Sequence, residues 1–176
     1  GGDSKNTFNI STLSAYVAAA CGVNVAKHGN YGGSSVSGSS NVLEHLGDKL
    51  TNKVDALKKQ LEKHHICLMH ATLFHPDIKR VEPVRKEMGV KTFFNMLGPM
   101  VNPALPDVQV IGVYNLEMAR IYSYLLQQSL ARFTIIHSLD GYDEISLTGD
   151  TKVITNEGEK ILTAEYIGKR TISHED

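Results

Sequence analysis

Cysteine is scarce in this chain: Cys21 and Cys67 are the only two among 176 residues. A framework of disulfides is excluded, and both cysteines stand in apolar stretches. They are expected to be buried free thiols of a protein in a reducing compartment, the cytoplasm. A charge excess is also missing. Lys plus Arg number 18 and Asp plus Glu 19, for a net charge of −1. That balance supplies no bulk attraction to nucleic acid or to an anionic membrane, so neither partner is expected. No apolar run approaches the roughly 18 residues that cross a bilayer. No charged-then-apolar leader opens the chain, so no secretory signal is visible. The sequence lacks an internal repeat and a domain linker, and its length suits one ordinary domain. It also lacks the G-x-x-x-x-G-K-[ST] phosphate loop, the G-x-S-x-G nucleophile elbow and the H-E-x-x-H metal pair.

What remains is a globular composition, 41% apolar and 21% charged, which excludes disorder and a collagen-like fibre. Helical and extended patterns alternate along it. Residues 12–21 are alanine-rich and helical, with Gly22 suited to end them. Residues 23–27 alternate as a strand does, and 42–46 start a helical pattern that Gly47 breaks. A polar helix is predicted over 53–64, a buried strand over 66–70 and a helix over 76–88. Pro76 is tolerated in its first turn, whereas Pro83 should kink or divide it. Three prolines and a glycine make 93–106 irregular. A strand over 108–114 precedes a helix over 117–128. There Met118, Ile121, Tyr122, Leu125 and Leu126 share one face. Further strands are predicted over 132–137 and, more weakly, 151–155. This alternation predicts an α/β layered fold with a mostly parallel central sheet flanked by helices. Ligands of such folds gather at the carboxyl ends of strands.

Four segments carry chemistry. The first runs from Gly1-Gly2-Asp3 to Asn9-Ile10-Ser11-Thr12 and leads straight into a helix. Glycines let backbone N–H groups approach a ligand, and a helix N-terminus favours an anion. Ordinary capping by Ser11 or Thr12 is the alternative. The second is Lys27-His28-Gly29-Asn30 after a strand, followed by a stretch rich in glycine and serine that ends before the next helix. A lysine, hydroxyls and backbone N–H groups together suit phosphate oxygens. A solvated serine-rich turn is the plainer account. The third is Asp140-Gly141-Tyr142-Asp143-Glu144, whose adjacent carboxylates are hard oxygen ligands suited to Mg²⁺, or else an acidic surface turn. The fourth is Arg85, a guanidinium able to grip a carboxylate, or else a surface charge. His64-His65 reads as a helix end. His75, before Pro76, could line a pocket, although nothing in the sequence demands it.

These segments resemble anthranilate phosphoribosyltransferases in order and over nearly the whole chain. The similarity takes in the glycine-rich opening with Asn9-Ile10-Ser11-Thr12, then Lys27-His28-Gly29-Asn30 and Phe74-His75-Pro76. It continues through Val84-Arg85-Lys86-Glu87-Met88-Gly89, Phe94-Asn95-Met96-Leu97-Gly98-Pro99, Asn102-Pro103 and residues 140–146. The resemblance implies transfer of the 5-phosphoribosyl group from phosphoribosyl pyrophosphate to the amino group of anthranilate, in tryptophan biosynthesis, with Mg²⁺ as cofactor. It implies phosphoribosyl pyrophosphate contacts at Gly2, Asp3, Thr7, Asn9, Ile10, Ser11, Thr12, Lys27, His28, Gly29, Asn30, Ser34, Ser35 and Ser39. Anthranilate contacts would fall on Asn30 and Arg85, and the metal ligands on Ser11, Asp143 and Glu144. No residue is implied as nucleophile or base.

The family's enzyme is a longer, homodimeric protein with a helical domain and a larger α/β domain. The resemblance implies that residues 1–176 correspond to the central part of the α/β domain. A fragment without the helical domain and the C-terminal segment is expected to be inactive. Tyr31 stands where the family usually has arginine, which removes a positive charge. Pyrimidine nucleoside phosphorylases share the fold and a Lys-His-Gly-Asn stretch but not the glycine loop. A nucleic-acid-binding relative of the same fold is the non-enzymatic alternative, which the net charge of −1 disfavours.

Overall fold

The structure, a computed structural model, describes residues 5, 7–32, 37–88, 96–129 and 132–173. Gly2, Asp3, Ser34 and Ser35 lie outside the described residues, and the Arg85 side chain is outside them too. The chain is α/β and divides into two compact units. Asn6–Leu105 form one; Lys5 and the residues from Pro106 onward belong to the other.

In the first unit, α1 (Ile10–Ala20) begins where the Asn9 carboxamide oxygen accepts the Thr12 N–H at 2.8 Å. This cap satisfies a donor that the first helical turn leaves orphaned. Gly22 ends the helix at φ +84°, a conformation costly for residues with a Cβ. Cys21 beside it is exposed, contrary to the expectation of burial. It follows the last turn of α1, past the face on which Ala15 and Ala19 are buried. Strand β1 (Val25–Gly29) runs parallel to β2 (Ile66–His70), with Gly29 opposite His70. It lies two residues later than predicted, because the Val25 N–H bonds to the His65 carbonyl at the entry to β2.

The crossover between these strands carries α2 (Ser39–His45) and α3 (Val54–His64). Leu57 of α3 is buried with Cys67 and Met69 of β2, and Ala26, Leu61 and Phe74 pack around them. Burying one such aliphatic side chain is worth about 1.5–3 kcal/mol. After β2 come α4 (Ala71–Phe74) and α5 (Pro76–Met88). Pro83 does not divide α5, which runs on through it. A proline removes one N–H from the ladder, and the turns on either side retain theirs.

In the second unit, β3 (Val108–Gly112) pairs in parallel with β4 (Arg132–Ser138) across α6 (Leu116–Leu126). Strands β5 (Thr151–Thr155) and β6 (Gly158–Leu162) then add antiparallel, giving the order β3-β4-β5-β6. The predicted face of α6 is buried at Met118, Tyr122 and Leu126. Leu125 is exposed, and Ala119 takes the inner position instead. With 3.6 residues per turn the stripe drifts, and the small alanine lets the helix approach the sheet closely. Strand β6 has no counterpart in the predicted elements: it is exposed at four of its five residues and shows no apolar alternation.

Candidate functional site

The two loops read as anion sites meet within the first unit. The Asn9 Nδ2 donates to the Ser37 carbonyl at 2.6 Å, and the Ser37 hydroxyl donates to the Thr7 carbonyl at 3.4 Å. Across this junction the Lys27 ammonium donates to the Ser11 Oγ at 3.0 Å, while the Ser11 hydroxyl donates to the Asn9 Oδ1 at 3.1 Å. The N-terminus of α1 and the middle of β1 thus put a helix dipole and a lysine on one spot. Both favour an anion. Burial pushes the Lys27 ammonium down to about 8, because a charge taken from water without a counter-ion is disfavoured. A bound phosphate would supply that counter-ion.

Beyond Lys27 the strand end is closely fitted. Gly29 leaves no room for a side chain: a Cβ there would stand 3.0 Å from the Ser39 Cβ. The Asn30 carbonyl accepts the Ser40 N–H at 3.3 Å, and its Oδ1 accepts the Tyr31 N–H at 2.8 Å. His28 Nδ1 meets the Gly98 carbonyl at 3.1 Å, so that nitrogen carries the proton. Burial lowers the His28 imidazole, against the opposing effect of that hydrogen bond. His75 joins through an edge-on ring contact with His28 at 5.4 Å and through its Nε2 to the Val101 carbonyl at 2.8 Å.

His70, a residue no motif singled out, is buried at the end of β2. Its Nδ1 pairs with the Ser40 hydroxyl and its Nε2 with the Thr72 hydroxyl, both at 2.7 Å. Only the parallel register of β1 and β2 brings residues 28–30 beside 70, so no local pattern marks it.

The acidic turn belongs to the second unit. Ser138, buried at the end of β4, organises it. Its hydroxyl donates to the Glu144 carbonyl and accepts the Ser146 N–H at 3.0 Å, and it pairs with the Thr151 hydroxyl at 2.6 Å. Asp140 is a structural member of the turn: its Oδ2 accepts the hydroxyls of Ser146 and Thr148. The Lys5 ammonium donates to the Asp140 carbonyl at 3.3 Å and lies over the Tyr142 ring at 4.5 Å.

Asp143 and Glu144 touch through a side-chain hydrogen bond. Burial pushes the Asp143 carboxyl up, whereas the hydrogen bond with Glu144 and a nearby positive charge pull it down, and it lies below its usual range. Two adjacent carboxylates concentrate negative charge, which a divalent cation offsets. The donor set fits Mg²⁺, which typically takes one or two carboxylates and fills its remaining positions with water and phosphate oxygens. Among the described residues, no three His, Cys, Asp or Glu side chains cluster as a complete cage. Ser11, the third predicted ligand, accepts the Lys27 ammonium on its Oγ.

A lysine of a parallel strand meets a helix N-terminus, an arrangement that suits an anion such as a phosphate group. The chain belongs to the glycosyl transferase family, a/b domain, whose family model matches residues 1–169. Within that family it is similar to the anthranilate phosphoribosyltransferase of Flavobacterium psychrophilum. The two are 60% identical over 176 residues, the whole of this chain and 53% of the relative. It is also similar to the solved anthranilate phosphoribosyltransferase of Thermus thermophilus. Here the identity is 41% and the TM-score 0.89, over 99% of this chain and 53% of the other. The Saccharomyces cerevisiae enzyme, solved in complex with PRPP and Mg, is 30% identical with a TM-score of 0.90, over 98% and 49%. The chain thus spans about half the length of the relatives it matches.

Proposed function

We propose that this chain is part of the α/β catalytic domain of an enzyme that transfers the 5-phosphoribosyl group to the amino group of anthranilate, releasing pyrophosphate. The observation that carries the reading is the junction at Ser11, Lys27, Asn9 and Ser37, a ready anion site, in a chain 60% identical to an enzyme of that name. Thr7, Asn9 to Thr12, Lys27 to Asn30 and Ser39 would hold phosphoribosyl pyrophosphate, together with Gly2, Asp3, Ser34 and Ser35. Asn30 and Arg85 would face the anthranilate carboxylate. Ser11, Asp143 and Glu144 would hold Mg²⁺, which when bound neutralises charge on the leaving pyrophosphate. A homodimeric, cytoplasmic full-length protein belongs to the same proposal, in keeping with the two free thiols.

The chemistry asks the protein for position more than for a nucleophile. An aromatic amine is uncharged at neutral pH and attacks C1 of the ribose directly. Negative charge grows on the departing pyrophosphate, where the α1 dipole, Lys27 and oriented N–H donors stabilise it. Holding the amine against C1 supplies the rest by proximity. The joint substitution Asp143→Asn with Glu144→Gln in the complete enzyme is expected to lower kcat at least ~100-fold. The readout is anthranilate fluorescence with phosphoribosyl pyrophosphate and saturating Mg²⁺. Turnover at the unsubstituted rate would remove the acidic turn from the reaction.

A further inference from the structure

We infer that Tyr31 is a positioning residue that anchors the Asn30 turn and thereby sets the acceptor side of the site; the inference rests on the function proposed above. Its ring lies edge-on to His70, with centroids 4.8 Å apart, and its hydroxyl donates to the Glu44 Oε1 at 3.0 Å. One side chain therefore ties the turn both to the end of β2 and to α2. The turn itself is close-packed. The Gly32 N–H bonds to the Asn41 Oδ1 at 3.0 Å, and a Cβ on Gly38 would stand 1.9 Å from the Gly32 nitrogen. Backbone at such distances moves as a body, so a side chain that fixes Tyr31 fixes Asn30 with it. Tyr31 keeps 41% of its surface exposed, more than a core residue would, so packing alone does not account for its two partners. His70 is itself locked by hydroxyls on both ring nitrogens and forms a rigid abutment.

An edge-on ring contact and a hydrogen bond to a carboxylate are each worth a few-fold in an equilibrium. Tyr31→Ala in the complete enzyme is accordingly expected to raise KM for anthranilate about tenfold, with a smaller loss in kcat. Tyr31→Phe keeps the ring and should cost about threefold, as should Glu44→Ala, and the double variant should be no worse than either. Glu44→Gln keeps the acceptor oxygen and should recover most of the loss seen in Glu44→Ala. Amide exchange at Gly32, followed by NMR in this chain, should quicken about tenfold in Tyr31→Ala.

Unchanged exchange at Gly32 overturns the anchor. Faster exchange with an unchanged KM overturns the positioning role, since the contact would then be merely structural. Additive losses in the double variant do the same. An unsubstituted enzyme that consumes no anthranilate sinks the proposed function instead, and Gly32 exchange then tests the anchor by itself.

Discussion

Lys27 concentrates the tension between stability and function in one side chain. Its ordinary value of 10.5 applies in the unfolded chain, and burial brings it to about 8 in the folded one. Between those values the unfolded state holds more protons, so stability rises with pH from about 8 to 10.5. Below about 8 both states are protonated, and the full penalty of a buried ammonium is present. Lys27→Met removes that penalty. It is expected to raise Tm at pH 7 by about 2–4 °C, the shift that ~1 kcal/mol gives a chain of this size. It should also weaken pyrophosphate binding, measured calorimetrically, by at least ~10-fold. A lower Tm with unaltered pyrophosphate affinity would make Lys27 a structural residue. In the unsubstituted chain the same affinity should fall as pH rises through about 8, because the empty site then loses the proton that an anion needs there.

At the scale of elements, the end of β3 meets the acidic turn so closely that only glycine fits. A Cβ on Gly112 would lie 1.8 Å from the Asp143 carbonyl oxygen. Gly112→Ala must therefore displace either β3 or the turn that carries Asp143 and Glu144, at a cost of about 1–3 kcal/mol. A thermal melt of this chain reads that loss, and a wild-type melting point would show that the approach is looser than drawn. Elements were legible from the sequence to unequal degrees. The strands at 66–70 and 151–155 and the helix at 76–88 appear where the pattern puts them, because apolar spacing and flanking breakers are local signals. Strand β6 was not legible, since Gly158 to Ile161 stay exposed and carry no alternation. Helix α2 starts three residues earlier than the pattern does, with Ser39 and Ser40 buried in its first turn. Their small size suits the space beside Gly29, a tertiary reason that composition does not reveal.

For the molecule as a whole, the chain carries the Lys27–Ser11 junction in one unit and an acidic turn in the other, and it spans about half the length of its relatives. On the proposed reading the 176-residue chain alone should bind pyrophosphate yet form no phosphoribosyl anthranilate. Fluorescence of an anthranilate mixture reads this directly, and full turnover by the chain alone would show that residues 1–176 suffice. The glycine-rich opening, the Lys-His-Gly-Asn stretch, the acidic pair and the α/β alternation were all determined by the sequence. Each is a run of neighbouring residues whose chemistry or period is visible locally. Tertiary structure alone decided that Asn9 would meet Ser37, that Lys27 would reach Ser11, that His70 would stand beside Tyr31, and that Asp143 would close over Gly112. These partners lie far apart along the chain, and their meeting depends on strand register and close packing, which no local window of sequence contains.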